Sequence, residues 1–230
     1  MKKQTIVVTG STGGIGTAFT LQMLSEGHEL YLPVRSIQKA QDLFGTFPNA
    51  HCATVEIESH DSMVNYFKNL STEGVLPEQV VLLVGDLRKD SDPMFPGETQ
   101  EEKETHSIEY HERVNVRTAE TVVFGLKEIF GEKLQEDTVL LGVSSWAAHF
   151  EPGHPYRKDE EGYVQAKAKL SSLLAQWREE KVFKEVICDE PSLIVTPLTE
   201  REFPELIADP AVEKLTPGQY VEHLRKVLSL

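Results

Sequence analysis

The sequence predicts one α/β domain, a doubly wound parallel sheet with helices on both faces, three layers in all. Three observations predict it. Short β-branched runs alternate with stretches of helical periodicity along most of the 230 residues. Residues 79–85, QVVLLVG, are apolar after the first position. The centre of a parallel sheet requires this, because both of its faces are covered. A glycine-rich stretch, VTGSTGGIG at 8–16, joins the first strand to the first helix.

Each element can be justified in order. Residues 4–10, QTIVVTG, form a β-branched run ended by glycine and read as a buried strand. Residues 16–27 place Ala18, Leu21 and Leu24 at helical spacing and stop at Gly27, a C′ residue. Strand HELYLPVRS and helix SIQKAQDLF follow, then strand HCATVEI and the helical segment HDSMVNYFKNLSTEG. After QVVLLVG, residues 88–107 are polar, acidic and Pro/Gly-bearing, and read as a loop leading into a helix. Its ETQEEKET run reads as a solvated helix approach. Residues 108–131 read as one long helix, and DTVLLGVSS as the fifth strand. Residues 146–162 form a loop, 163–181 a long helix, and 184–195 a sixth strand with its exit turn. In the tail, Thr216, Pro217 and Gln219 give an N-cap, an N1 proline and a capping box. No strand follows that helix, and no repeat or low-complexity segment is present.

Composition excludes several classes. Hydrophobic content of 40% and charged content of 26% are ordinary for one soluble globular domain. A formal net charge of −14 argues against nucleic acid and anionic membrane as partners, since both need a basic face. The apolar run after Lys2 and Lys3 is too short for a signal peptide, and no stretch nears the roughly 18 residues of a membrane span. Cys52 and Cys188 lie in strand-like contexts without a C-x-x-C pair, which predicts two buried, reduced thiols in a cytoplasmic protein. His106 and His111, and His149 and His154, stand five apart and no H-E-x-x-H occurs, so no metal is expected. His149, Phe150 and Trp146 are candidates for lining a pocket.

In open parallel sheets ligands bind beyond the carboxyl ends of the strands, at 9–16, 33–36, 84–88, 144–150 and 191–200 here. The glycine stretch is the first of these. Its glycines permit a tight turn and a close backbone approach, and the following helix turns its N–H groups and positive end toward a phosphate. No Gly-Lys-Ser/Thr follows, so it is no Walker loop. Two registers are present: Gly10-Gly14-Gly16 and Gly10-Gly13-Gly16. The second strand ends on Arg35 and Ser36, with no acid to take a ribose 2′-hydroxyl. A guanidinium there can hold a 2′-phosphate, with the serine assisting, which favours NADP(H) over NAD(H). The competing reading makes Arg35 a solvated charge at a helix start.

Tyr163 and Lys167 stand four apart on a predicted helix and therefore share one face. A free phenol is too weak an acid for neutral pH, and a lysine ammonium one turn away is expected to lower its pKa. Alone such a pair is common. Ser144 and Ser145 at the end of the fifth strand, and Asn115 inside the long helix, raise its weight. A polar side chain inside a helix is unfavourable unless it has a partner or a task.

Together these motifs resemble the short-chain dehydrogenase/reductase superfamily, over nearly the whole chain. The family's Thr-Gly-x-x-x-Gly-x-Gly matches Thr9, Gly10, Gly14 and Gly16, its serine matches Ser145, its Tyr-x-x-x-Lys matches Tyr163 and Lys167, and its helix asparagine matches Asn115. The Pro-Gly-x-x-x-Thr turn appears as Pro191 to Thr196 with serine for glycine. The resemblance implies a Rossmann fold and hydride transfer between NADP(H) and a carbonyl or alcohol substrate. It implies that Tyr163 protonates the oxygen, Ser145 hydrogen-bonds it, Lys167 holds ribose hydroxyls, and Asn115 supports a relay water. It assigns the cofactor to Gly10, Ser11, Thr12, Gly13, Gly14, Ile15 and Gly16, to Arg35 and Ser36, to Glu56 and Ile57 on the adenine side, to Gly85, and to Pro191, Ile194 and Thr196 beside the carboxamide. It also implies a homodimer or homotetramer on the helices carrying Asn115 and Tyr163, which the residues themselves leave open.

The departures matter. Asn-Asn-Ala-Gly after the fourth strand reads Leu82-Leu83-Val84-Gly85. The long Ser145–Tyr163 interval resembles the extended branch, yet 230 residues leave no room for that branch's carboxyl-terminal domain. The chain reads as a divergent, truncated member, with substrate segments at 86–107, 146–162 and 197–215. Two alternatives stand beside the reductase: an epimerase or dehydratase with the same cofactor, and an NADP(H)-binding sensor of low activity.

Overall fold

A computed structural model describes residues 2–154 and 159–230. Six parallel strands form the central sheet: β1 (Thr5–Thr9), β2 (Glu29–Val34), β3 (Ala50–Thr54), β4 (Gln79–Leu82), β5 (Val139–Val143) and β6 (Glu185–Asp189). Their order is β3-β2-β1-β4-β5-β6, so the direction of winding reverses between β1 and β4. That switch point opens a crevice at the carboxyl edge.

Side-chain alternation along the strands builds both cores. Val7, Val80, Leu140 and Val186 face one side. There they pack on α3 (His60–Thr72), α5 (Thr118–Phe130) and α7 (Glu161–Glu179) through Phe67, Val122, Leu126, Leu170 and Leu174. Ile6, Val8, Leu30, Leu32, Val81 and Leu141 face the other. They pack on α1 (Gly14–Ser25), α2 (Ile37–Phe44) and a carboxyl-terminal helix, Pro217–Val227, through Phe19, Phe44 and Tyr220. The terminal helix has the capping box expected at Thr216 and Gln219. Among the described residues no helix is long and apolar enough to cross a membrane.

The long helix starts earlier than expected. Helix α4 (Gln100–His111) begins inside the acidic run, because Thr99 and Glu102 form a capping box and Glu101 and Glu102 favour the positive helix end. It runs through a π turn, Glu112–Arg117, into α5. The π turn has a local cause. The Asn115 Nδ2 donates to the His111 carbonyl at 3.2 Å, taking an acceptor of the regular ladder.

Other elements escaped the sequence reading. A short helix α6 (Lys133–Asp137) precedes β5. Residues 197–215 fold as α8 (Pro197–Glu202), α9 (Pro204–Ala208) and strand β8 (Lys214–Leu215), which pairs in parallel with β7 (Leu193–Ile194); the helix Pro217–Val227 is α10. A small cluster of Leu193, Phe203, Leu206 and Val212 supports this unit. Within the expected segment 146–162, residues 155–158 lie outside the described residues. Cys52 and Cys188 are free but only half-buried, a correction to the buried thiols expected; each lies near the sheet's outer strands, where cover is thinner.

The tightest approach in the fold lies where β1 turns into α1. A Cβ on Gly16 would stand 2.0 Å from the Gly10 carbonyl oxygen. Gly10 itself has φ +73°, and a Cβ there would meet the Leu83 backbone at 2.6 Å. Gly16→Ala should therefore cost about 2–4 kcal/mol in urea unfolding, through forced backbone displacement. Gly218→Ala is the contrast, since that Cβ meets nothing within 4 Å in the first turn of α10. It should raise stability by up to about 1 kcal/mol. Equal effects from the two substitutions would refute this account.

Candidate active site

The glycine loop presents unpaired donors at the switch point. Gly13 N–H donates to Gly10 O at 2.9 Å and Thr17 N–H to Gly13 O at 2.8 Å. No acceptor takes the N–H groups of Ser11, Thr12, Gly14, Ile15 or Gly16 among the described residues. The first turn of α1 holds no acidic residue. The Ser11 Oγ is fully buried and has no hydrogen-bond partner. Such a turn, at the positive end of a 12-residue helix, fits a pyrophosphate. Gly10 and Gly16 are required by the protein's own backbone, whichever register is chosen. A Cβ on Gly13 would meet Gly10 O at 3.3 Å, and one on Gly14 would meet Thr196 at 3.2 Å. Gly14 thus brings the loop against the exit of β7.

The residues assigned to the adenosine side are unevenly placed. Arg35 is exposed just beyond β2 and makes no ion pair among the described residues. The Ser36 hydroxyl accepts from Lys39 N–H at 3.3 Å as the N-cap of α2, so only its own O–H is left to assist a phosphate. Glu56 is exposed. Ile57 differs from expectation: its side chain lies in the core and its carbonyl accepts from Thr121 Oγ1 at 2.6 Å. Only its backbone N–H could face a ligand.

The four residues given catalytic roles converge on the other side of the loop. Lys167 is buried, and its Nζ donates to Val143 O at 3.1 Å and stands 5.7 Å from the Tyr163 ring centre. Asn115 is buried and donates through Nδ2 to Asp86 O and His111 O, both at 3.2 Å, while its Oδ1 has no partner. Gly85 makes this convergence feasible. A Cβ there would stand 2.8 Å from Asn115 Oδ1 and 3.3 Å from Lys167 Nζ. The adjacent serines divide two tasks. Ser144 Oγ donates to Lys167 O at 2.9 Å and braces α7, whereas the Ser145 hydroxyl caps a 3-10 turn and lies in the cleft with Tyr163.

One electrostatic expectation is corrected. Burial pushes the Tyr163 phenol up to about 12, and only the Ser145 hydrogen bond pulls it down. Burial also pulls Lys167 down to about 8. Desolvation disfavours both charged forms, and at this separation it outweighs the ammonium's pull on the phenol.

Sequence reasoning missed the residues that hold the start of α7. That helix has no side-chain cap of its own. The buried Asp90 carboxylate supplies one from a distant loop, accepting Glu161 N–H at 2.7 Å and Gly162 N–H at 3.2 Å. It also accepts Ser107 Oγ at 2.6 Å. His111 is buried and structural: Arg88 N–H donates to its Nε2 at 3.2 Å, and its Nδ1–H donates to Ser107 O at 2.9 Å. Asp86 accepts Arg88 Nε at 3.0 Å and Tyr110 OH at 2.5 Å. No motif marks these residues; only the clustering of acids after β4 hints at them.

The cleft holds about 940 Å³ of space, part of it open to solvent. Tyr163, Lys167, Ser145 and Asn115 line one end, with Ile15, Gly85, Pro191, Ile194 and Thr196 beside them. Trp146, Phe150, Leu198, Phe203 and Leu206 form an apolar wall. His149 does not join it; it is exposed and pairs with Glu190 at 2.7 Å. Glu160 does join it, and had not been anticipated. Among the described residues no cluster suited to a metal ion occurs.

No family model and no curated protein matches the chain. Solved structures do. A 3-ketoacyl-(acyl-carrier-protein) reductase from Brucella melitensis, complexed with NADH, is 20% identical with a TM-score of 0.77, over 98% of this chain and 90% of that one. A short-chain dehydrogenase from Burkholderia cenocepacia J2315, in complex with NADP, is 15% identical with a TM-score of 0.75, over 100% and 85%. A ribose-5-phosphate isomerase from Brucella melitensis 16M is 18% identical with a TM-score of 0.75, over 100% and 89%. Such likeness speaks to fold and not to reaction. The chain has the fold found in short-chain dehydrogenases/reductases.

Proposed function

We propose that this chain is an NADP-dependent short-chain dehydrogenase/reductase that interconverts a carbonyl and an alcohol. The observation that carries the reading is the convergence of Asn115, Ser145, Tyr163 and Lys167 on one cleft, next to a helix start with unpaired N–H groups. The dinucleotide, when bound, supplies or accepts a hydride. The two neighbours described with NADP and NADH support a nicotinamide cofactor, and Arg35 favours the phosphorylated one.

The chain's own residues supply the rest. The Tyr163 phenol is protonated at neutral pH and is the group to give a proton to a carbonyl oxygen, but burial alone disfavours the phenolate that this leaves. Ser145 lies within reach of the phenol and offers a second hydrogen bond to that oxygen. The ammonium of Lys167 favours the phenolate left behind, and its carbonyl anchor at Val143 fixes its position. Asn115 Oδ1, buried and unpartnered beside Gly85, is placed to receive a relay water.

Tyr163→Phe should bind NADPH as wild type does and lose about 10²–10⁴-fold in turnover, measured as NADPH oxidation with a panel of ketones. Retained turnover would sink the assigned role. Arg35→Ala should erase the preference for NADPH over NADH in fluorescence titrations, a loss of about tenfold or more in the ratio of affinities. An unchanged ratio assigns the 2′-phosphate elsewhere.

A further inference from the structure

Glu160 stands three residues before Tyr163 and lines the same cleft. Only 8% of it is exposed, and its carboxyl makes no hydrogen bond among the described residues. Buried carboxyls are almost always paired, because an uncompensated charge away from water is costly. Among the described residues it has no group to pair with. Lys89 acts on it most strongly among cations, but that ammonium already binds Glu205 at 2.9 Å and lies over the Phe203 ring at 5.3 Å. Three acids among the described residues also act on it: Glu205, Asp90 and Asp159. Asp90 is committed to the start of α7, and Asp159 to Ser91. Arg88, further along the same loop, is bound to Asp86 and Asp92. The apolar wall beside Glu160 consists of Trp146, Phe150, Leu198, Phe203 and Leu206.

We infer that Glu160 selects the substrate: the cleft takes a carbonyl compound with an apolar body and a basic nitrogen, whose ammonium pairs with the Glu160 carboxylate. Among the described residues an ammonium meets there the one carboxyl of the apolar chamber that no side chain has taken, with Glu205, Asp90 and Asp159 near it. A carboxylate-bearing substrate would meet the same acids with the wrong sign. Burial and the neighbouring acids hold Glu160 up to about 8. The charge of a bound cation opposes that shift and favours the charged form of the group. The inference rests on the proposed reductase reading only for the carbonyl; the recognition of the nitrogen is independent of turnover.

Calorimetric titration of the full chain, with and without NADP⁺, tests it with isosteric pairs. Para-(aminomethyl)acetophenone is set against para-ethylacetophenone, and phenacylamine against propiophenone, with para-acetylbenzoate as the anionic control. Each amine should bind about tenfold or more tighter than its neutral isostere, and the benzoate weakest. In Glu160→Gln the amine-to-isostere ratio should fall toward one. Equal or weaker binding of the amines by wild type, including no detectable binding of any probe, overturns the inference, as does an unchanged ratio in the variant. NADPH oxidation with the same ketones is read separately. An amine preference without hydride transfer sinks the reductase reading and leaves the inference about Glu160 standing.

The variant carries its own folding control. A carboxyl raised from its ordinary value of 4.5 to about 8 in the folded state binds protons that the unfolded chain has released. Wild type should therefore lose stability as pH rises from about 4.5 to about 8, and Glu160→Gln should be spared that loss. In urea unfolding the variant should gain on wild type across this window and match it below. A difference that does not change with pH places the carboxyl in contact with water and overturns the inference.

Discussion

The site depends on a capping bond made from a distance. The helix that carries Tyr163 and Lys167 begins without a capping side chain of its own. Its first N–H groups lie in the interior, where unpaired donors are costly. Asp90, more than 70 residues earlier in the chain, receives two of them. Because its carboxylate also receives Ser107, one buried anion joins the loop after β4, helix α4 and helix α7. Gly162 is the counterpart on α7. A Cβ there would meet Ser107 Oγ at 2.6 Å, so only glycine lets the two helices close on that anion.

This arrangement explains how the loop after β4 is held without the asparagines that the resemblance led one to expect. Leu82, Leu83 and Val84 cannot brace neighbouring strands by side-chain hydrogen bonds. The bracing has moved outward, to Asp86, Arg88 and Asp90, which grip Tyr110, His111 and Ser107 on α4. Asn115 adds a bond to the Asp86 carbonyl from the π turn. The π turn and the altered loop are thus two parts of one packing solution. Its result is that Gly85 remains open toward Asn115 Oδ1 and Lys167 Nζ.

The legibility of the sequence followed the range of the interactions. Strand positions and glycine roles rest on local rules, a β-branched run or a missing Cβ, and these can be read one residue at a time. Tyr163 and Lys167 were legible because helical spacing alone puts them on one face. Ser144 and Ser145 could be found as a pair, yet which serine braces and which faces the cleft depends on strand register. Asp90 and Glu160 were illegible, because each acts across a long interval and neither belongs to a motif. Ile57 shows a limit of position alone. Its place after β3 suggests a ligand contact, and the structure sends its side chain into the core, which leaves the backbone N–H for that role. Residues 88–107 misled through composition, since an acidic run reads as solvated loop until the Thr99 cap shows that its charges sit at a positive helix end.

Charge is the remaining tension. The chain carries −14, and the proposed cofactor is itself a polyanion. Long-range attraction cannot bring the two together, because exposed charges are screened beyond about 8–10 Å at ordinary ionic strength. What counts is the field within that distance. There the first turn of α1 has no acid, several N–H groups point outward unpaired, and Arg35 stands exposed at the end of β2. The acids are gathered instead on the far side of the cleft, around Asp86, Asp90, Asp159 and Glu160. One cleft therefore carries two opposed fields, positive at the glycine loop and negative at the apolar chamber. Such a cleft suits the proposed pairing of an anionic cofactor with a cationic substrate, and Tyr163 lines it.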